Sequence, residues 1–169
     1  MSVLIVGFGN PLAGDDAVGW RAAELLASSL EAPGVRVMPC RQLTPELAAE
    51  VAEATLVIFV DAGVEIPPGK IACRRVKAVG GSTPFSHHFS PERLLALVEQ
   101  LYGRRPEAVL FSVGARSFAG SHLSSEVEQA LPVLLGEVRE LVARITQVGK
   151  PDHQSARPAE PEDFFSVMH

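Results

Sequence analysis

An α/β fold is predicted by two patterns and one property of the composition. Residues 3–6 and 56–60 are short apolar runs without alternation, which is how strands covered on both faces look. The longer segments between such runs place apolar residues at three- and four-residue spacing, the helical repeat. The chain has 169 residues, 47% of them hydrophobic and 21% charged, which suits one domain with a full core and needs neither disulfide nor metal staples. The expected architecture is a single-domain three-layer sandwich, with a mostly parallel, twisted sheet of about five strands between helices.

The elements follow in order. A strand over 3–6 is followed by a helix over 17–30 and a short strand over 35–38. Thr44-Pro45-Glu46-Leu47 offers a hydroxyl at a cap, proline at the first helical position and an acid after it, so a helix is expected over 45–54. The buried strand over 56–60 comes next, then 71–79, whose mixed polarity reads as an edge strand. Ser90-Pro91-Glu92-Arg93 repeats the start signal for a helix over 91–102. A strand over 109–113 and a helix over 124–146 complete the fold, the Ser124 hydroxyl and Glu126 suiting the start of that helix. Beyond it, Gly149-Lys150-Pro151, Pro158 and Pro161 stand among small and charged residues that can bury little. Residues 1–146 are therefore read as the domain and 147–169 as a mobile tail. The apolar end of that tail, Phe164-Phe165-Ser166-Val167-Met168, is fit to dock on this chain or another.

Composition excludes several functions. The net charge is −5 and no basic run stands out, which argues against nucleic-acid binding. No apolar stretch approaches the ~20 residues of a membrane span, and Met1-Ser2 leads into an apolar segment without a basic leader, so a cytoplasmic protein is expected. Cys40 and Cys73 form no Cys-x-x-Cys pattern and are expected to be small buried residues.

Four features could carry chemistry. Gly7-Phe8-Gly9-Asn10-Pro11-Leu12 follows the first strand, where glycines permit a tight turn and close backbone approach. A dinucleotide fingerprint fails here, because Leu12 stands where a third glycine would be needed and Asp15-Asp16 would repel a pyrophosphate; no nucleotide cofactor is expected. Of those two aspartates one is expected to cap the following helix, leaving the other free to bind a cation. Asp61 follows an apolar strand directly, at the edge where open α/β sheets bind ligands. Ser86-His87-His88-Phe89-Ser90 supplies two imidazoles, of which one should face the site. Asp16, Asp61 and one histidine would make a mixed set suited to a divalent transition metal, with positions left for an outside ligand. The serines show no nucleophile-elbow pattern and neither cysteine has a histidine near it, so a covalent mechanism is not expected.

These residues resemble the hydrogenase maturation proteases, which process the large subunit of nickel-iron hydrogenases. The resemblance covers about residues 3–146 and rests on Gly7-x-Gly9-Asn10-x-Leu12-x-x-Asp15-Asp16-x-x-Gly19, on Val60-Asp61-Ala62 and on His87-x-Phe89-Ser90 leading into Leu94-Leu95. Gln42-Leu43-Thr44-Pro45-Glu46-Leu47 and Gly120-x-x-Leu123-Ser124-x-x-Val127 add to it. It implies a sheet packed between helices and an endopeptidase that removes the carboxy-terminal extension of a nickel-loaded large-subunit precursor. It further implies that Asp16, Asp61 and His87 are the metal-binding and catalytic side chains, His87 fitting the family's spacing to Leu95 better than His88. The nickel would arrive with the substrate, held by its cysteines. This chain departs from the family where Asp16 replaces a frequent glutamate and Arg41-Gln42-Leu43-Thr44 a frequent Asp-Gly-Gly-Thr. Gln42 and Arg116 are further candidates for contact with the extension. The alternative from another class is a metal-dependent assembly module that binds the precursor without cutting it.

Overall fold

The computed structural model describes residues 1–80 and 89–148. Five strands form one sheet: β1 (Val3–Phe8), β2 (Val35–Cys40), β3 (Leu56–Gly63), β4 (Ile71–Arg75) and β5 (Glu107–Gly114). Their spatial order is β2-β1-β3-β5-β4, all pairs parallel except the antiparallel edge pair of β4 and β5. The helices are α1 (Val18–Ser29), α2 (Ala48–Glu53), α3 (Pro91–Tyr102) and α4 (Ser125–Val148), with short 3-10 turns over Gly14–Ala17 and Pro45–Leu47 leading into the first two.

The three-layer sandwich and the five strands are as expected, and the two cores explain the unalternating runs. Val3, Ile5, Ile58, Val60 and Phe111 face Val18, Ala22 and Leu26 of α1 and Leu134 and Val138 of α4. Their strand neighbours Leu4, Val6, Val57, Phe59 and Leu110 face Val51 of α2 and Leu94, Leu95 and Val98 of α3. Successive strand residues point to opposite faces, so a strand covered on both must be apolar at every position. Burying each of the larger side chains contributes about 1.5–3 kcal/mol. Leu43 and Leu47, part of the segment that carried the family resemblance, are core residues of the second layer.

Several boundaries differ from expectation for local reasons. The helix read over 45–54 is a 3-10 turn followed by the short α2, and Thr44 gives it no side-chain cap, whereas the Ser90 Oγ does cap α3 by accepting from the Arg93 N–H at 3.3 Å. Strand β4 stops at Arg75, and Val76, the next residue, is buried in the second core with its N–H donating to the Ala108 carbonyl at 2.9 Å. Helix α4 continues past 146 to Val148: Ile145 is still buried and the Thr146 hydroxyl donates to the Val142 carbonyl at 3.0 Å. The remainder of the expected tail, with its apolar end, lies outside the described residues. Both cysteines are free and half-buried rather than buried, and burial still raises their thiol pKa values, that of Cys73 to about 11.

The chain leaves β1 for β2 on one side and later returns to lay β3 on the other side of β1. That reversal opens a crevice at the carboxyl ends of β1 and β3, the position where open α/β sheets take ligands.

Candidate functional site at the carboxyl edge of the sheet

The turn after β1 is built on backbone contact. A Cβ on Gly7 would stand 2.0 Å from the Gly19 carbonyl oxygen, and one on Gly19 would stand 2.3 Å from that of Val60 and 3.0 Å from the Asp61 Cα. Gly9, at φ +148°, would bring a Cβ to 1.8 Å from the Asp16 carbonyl oxygen. The glycines thus lay the start of α1 directly over the ends of β1 and β3, which carries Asp16 to the crevice that Asp61 borders.

The two adjacent aspartates have different tasks, and the helix-cap expectation is corrected. Neither the 3-10 turn nor α1 has a side-chain cap. Asp15 is fully buried and turns instead to the loop between β5 and α4. Its Oδ2 accepts from the Arg116 N–H at 2.8 Å, the Ser117 N–H at 3.1 Å and the Ser124 hydroxyl at 2.8 Å, and its Oδ1 accepts from the Ser124 N–H at 2.6 Å. Ser124, expected to serve the start of α4 with its hydroxyl, thus donates that hydroxyl to Asp15, and the helix begins at Ser125. Burial works to raise the Asp15 pKa, but the bonds from Ser124, Arg116 and Ser117 together hold it below the ordinary aspartate value.

Asp16 is left half-buried, one oxygen accepting from the Asn10 N–H at 2.8 Å. Asp61 lies within β3, which runs three residues further than expected, opposite Ser112 of β5. The Ser112 hydroxyl donates to Asp61 Oδ1 at 2.5 Å. Burial pushes the Asp61 pKa up to about 6. The Ser112 bond and the Arg74 charge work against that rise, while the negative charges of Asp16 and Glu92 add to it. The two expected carboxylates are therefore neighbours that feel each other's charge.

His87 and His88 lie outside the described residues. Among the described residues no group of three or more His, Cys, Asp or Glu side chains is placed to hold a metal ion. Arg116 bridges to Glu126, Nε to Oε1 at 2.6 Å, while Gln42 is exposed. A separate cleft of about 240 Å³ opens beside the Asp16 turn, lined by Pro11, Ala17, Trp20, Arg21, His122 and Glu128 among others. No helix of the described residues is long and apolar enough to cross a membrane.

The roles of two residues at this site were not read from the sequence. Asp15 carried no local sign of its role, since its partners stand 101 to 109 positions away. Ser112 did carry one, being a lone hydroxyl in the apolar run of 109–113.

A doubly wound sheet with Asp16 and Asp61 at its switch point defines the class: an α/β protein with an acidic crevice at the carboxyl edge of its sheet. Comparison with solved structures narrows it. The chain is similar to the hydrogenase maturating endopeptidase HybD from E. coli, at 25% identity and TM-score 0.70, over 88% of this chain and 94% of that one. It is similar to hydrogenase 2 maturation peptidase from a Thaumarchaeota archaeon at 27% identity and TM-score 0.63, over 85% and 99%. The [NiFe] hydrogenase maturation protease HycI from Thermococcus kodakarensis KOD1 shares the fold at 22% identity and TM-score 0.69, over 82% and 90%. No protein-family model matches the sequence, and no curated protein does. These likenesses are to hydrogenase maturation proteases, endopeptidases whose fold this chain shares over most of its length.

Proposed function

We propose that this protein is the endopeptidase that removes the carboxy-terminal extension from a nickel-loaded hydrogenase large-subunit precursor, reading the nickel through Asp16, Asp61 and His87. The observation that carries this reading is the Asp16–Asp61 pair. Two carboxylates at the switch-point crevice repel each other, and burial leaves Asp61 short of solvation. A divalent cation brought into the crevice relieves both costs at once. Among the described residues each carboxylate has one oxygen held by a hydrogen bond and the other without a partner, and His87 would complete an acid-and-imidazole set of the kind nickel accepts.

The nickel is part of the substrate. Cysteines of the precursor hold it, and Asp16, Asp61 and His87 supply further ligands from this side, so that docking registers the extension beside the crevice. Only a precursor that has received its metal is then positioned for cleavage. Nickel acts as a Lewis acid on the scissile carbonyl or on a water, and a carboxylate of the pair takes the proton that the attacking water releases. The two half-buried free cysteines are in keeping with action in the cytoplasm.

The test is mass spectrometry of a nickel-loaded large-subunit precursor incubated with this protein, beside nickel-free precursor and a His87→Ala variant. Loss of a carboxy-terminal peptide only with nickel and intact His87 is the expected result. Binding of the loaded precursor with no change in its mass would overturn the protease reading in favour of an assembly module.

A further inference from the structure

Asp61 and Ser112 are register partners on neighbouring parallel strands, so their side chains leave the same face of the sheet side by side. On the other flank Ser112 is paired with Ala72, whose small side chain offers no competing acceptor. Ser112 is only 9% exposed, and with Asp15 it makes up the buried polar residues among those described. Apolar residues flank it on its strand at Phe111 and Val113, and an alanine would serve the packing equally well. A hydroxyl in such a place needs a partner, and it has one in Asp61 Oδ1.

That bond has a geometric consequence. A carboxylate is free to rotate about its last torsion and to present either one oxygen or both to a cation. With Oδ1 held by the Ser112 hydroxyl, Asp61 has Oδ2 open among the described residues. Across the crevice the Asn10 N–H holds Oδ2 of Asp16, which leaves Oδ1. Among the described residues the two carboxylates are each tethered by one oxygen and each have the other open.

Resting on the function proposed above, we infer that Ser112 is a positioning residue which fixes Asp61 for one-oxygen contact with the nickel of the incoming substrate. The Asn10 N–H does the same for Asp16 from the backbone, where side-chain variation cannot remove it. One-oxygen contact suits a metal that arrives already partly coordinated, because it occupies few positions and leaves the substrate's own ligands in place.

The experiment compares wild-type, Ser112→Ala, Ser112→Thr, Asp61→Asn and the Ser112→Ala/Asp61→Asn double variant of the full chain. Nickel(II) chloride binding is measured by titration calorimetry, KM and kcat with nickel-loaded precursor, and Tm. Ser112→Ala should weaken nickel binding and raise KM by about 10-fold, the lower end for lost support of a metal ligand. Its Tm should stay within a few degrees of wild-type, Ser112→Thr should restore most of the binding, and Ser112→Ala should add nothing in the Asp61→Asn background. Unchanged nickel affinity and KM in Ser112→Ala, with Asp61→Asn impaired in both, would overturn this role while leaving the proposed function intact. A wild-type protein that neither binds nickel nor cuts the loaded precursor would instead overturn the function on which the inference rests.

Discussion

At the corner where the turn after β1 meets the β5–α4 loop, the buried Asp15 carboxylate accepts four hydrogen bonds and its pKa lies below the ordinary value. Along the same edge, where β3 meets β5, Asp61 accepts one described hydrogen bond, lies near another carboxylate and has its pKa raised to about 6. Both residues are aspartates at the carboxyl edge of the sheet, Asp15 in the 3-10 turn before α1 and Asp61 within β3, and their surroundings separate them. A carboxylate whose oxygens are all engaged locks two loops together and has nothing to offer a ligand. One that is half-buried, crowded by negative charge and half-engaged costs the fold free energy that a bound cation can return. The comparison separates an acid that holds the corner together from the acids to which the proposed function assigns the metal.

The largest expected effect comes from breaking the first corner. Asp15→Ala leaves the Arg116, Ser117 and Ser124 donors without their acceptor, and a loss of about 3–5 kcal/mol in urea denaturation is expected. Next is Gly19→Ala, whose Cβ would meet backbone atoms of Val60 and Phe8 that cannot move aside. About 1–3 kcal/mol of stability should be lost, together with cleavage activity, as the start of α1 is pushed away from Asp61.

Asp61→Asn should act with the opposite sign. In the metal-free protein the raised pKa means that the folded state binds more protons than the unfolded state between about pH 3.9 and 6, so Asp61 lowers stability as pH rises through that window. The asparagine variant should be more stable than wild-type at pH 7 by about 1–2 kcal/mol and should lack that downward slope. Asp15, with its pKa lowered, contributes stability that is complete above the unfolded value and disappears as pH falls through the folded one. Denaturation of the two variants across pH 3 to 8 checks both slopes. The smallest effect belongs to the exposed Arg36–Glu50 pair away from both corners, at 2.5 Å. Solvent screens it, and Arg36→Ala should cost about 0–1 kcal/mol, less at high salt.

The parts of this arrangement legible in the sequence were those encoded locally. Strand positions 56–60 showed as an unbroken apolar run because both faces of β3 are covered, and α3 started at Pro91 as its cap and proline required. Asp61 stood out because a charge at the end of a buried strand conflicts with its surroundings, and Asp16 because one of two adjacent aspartates would suffice as a helix cap. The division of labour between Asp15 and Asp16 was not legible, since it depends on where the β5–α4 loop returns in space. Ser112 passed as one serine among several, because only the register of β3 against β5 sets it beside Asp61. The expectation that one aspartate caps α1 failed for the same reason: a local partner was assumed where the fold supplies distant ones.

The most direct test of the account is the rate of extension removal from nickel-loaded precursor by Asp61→Asn, measured on protein shown by denaturation to be folded. A fall of about 100-fold or more, in a variant at least as stable as wild-type, is predicted. Cleavage at the wild-type rate would contradict the assignment of Asp61 to the working side of the crevice.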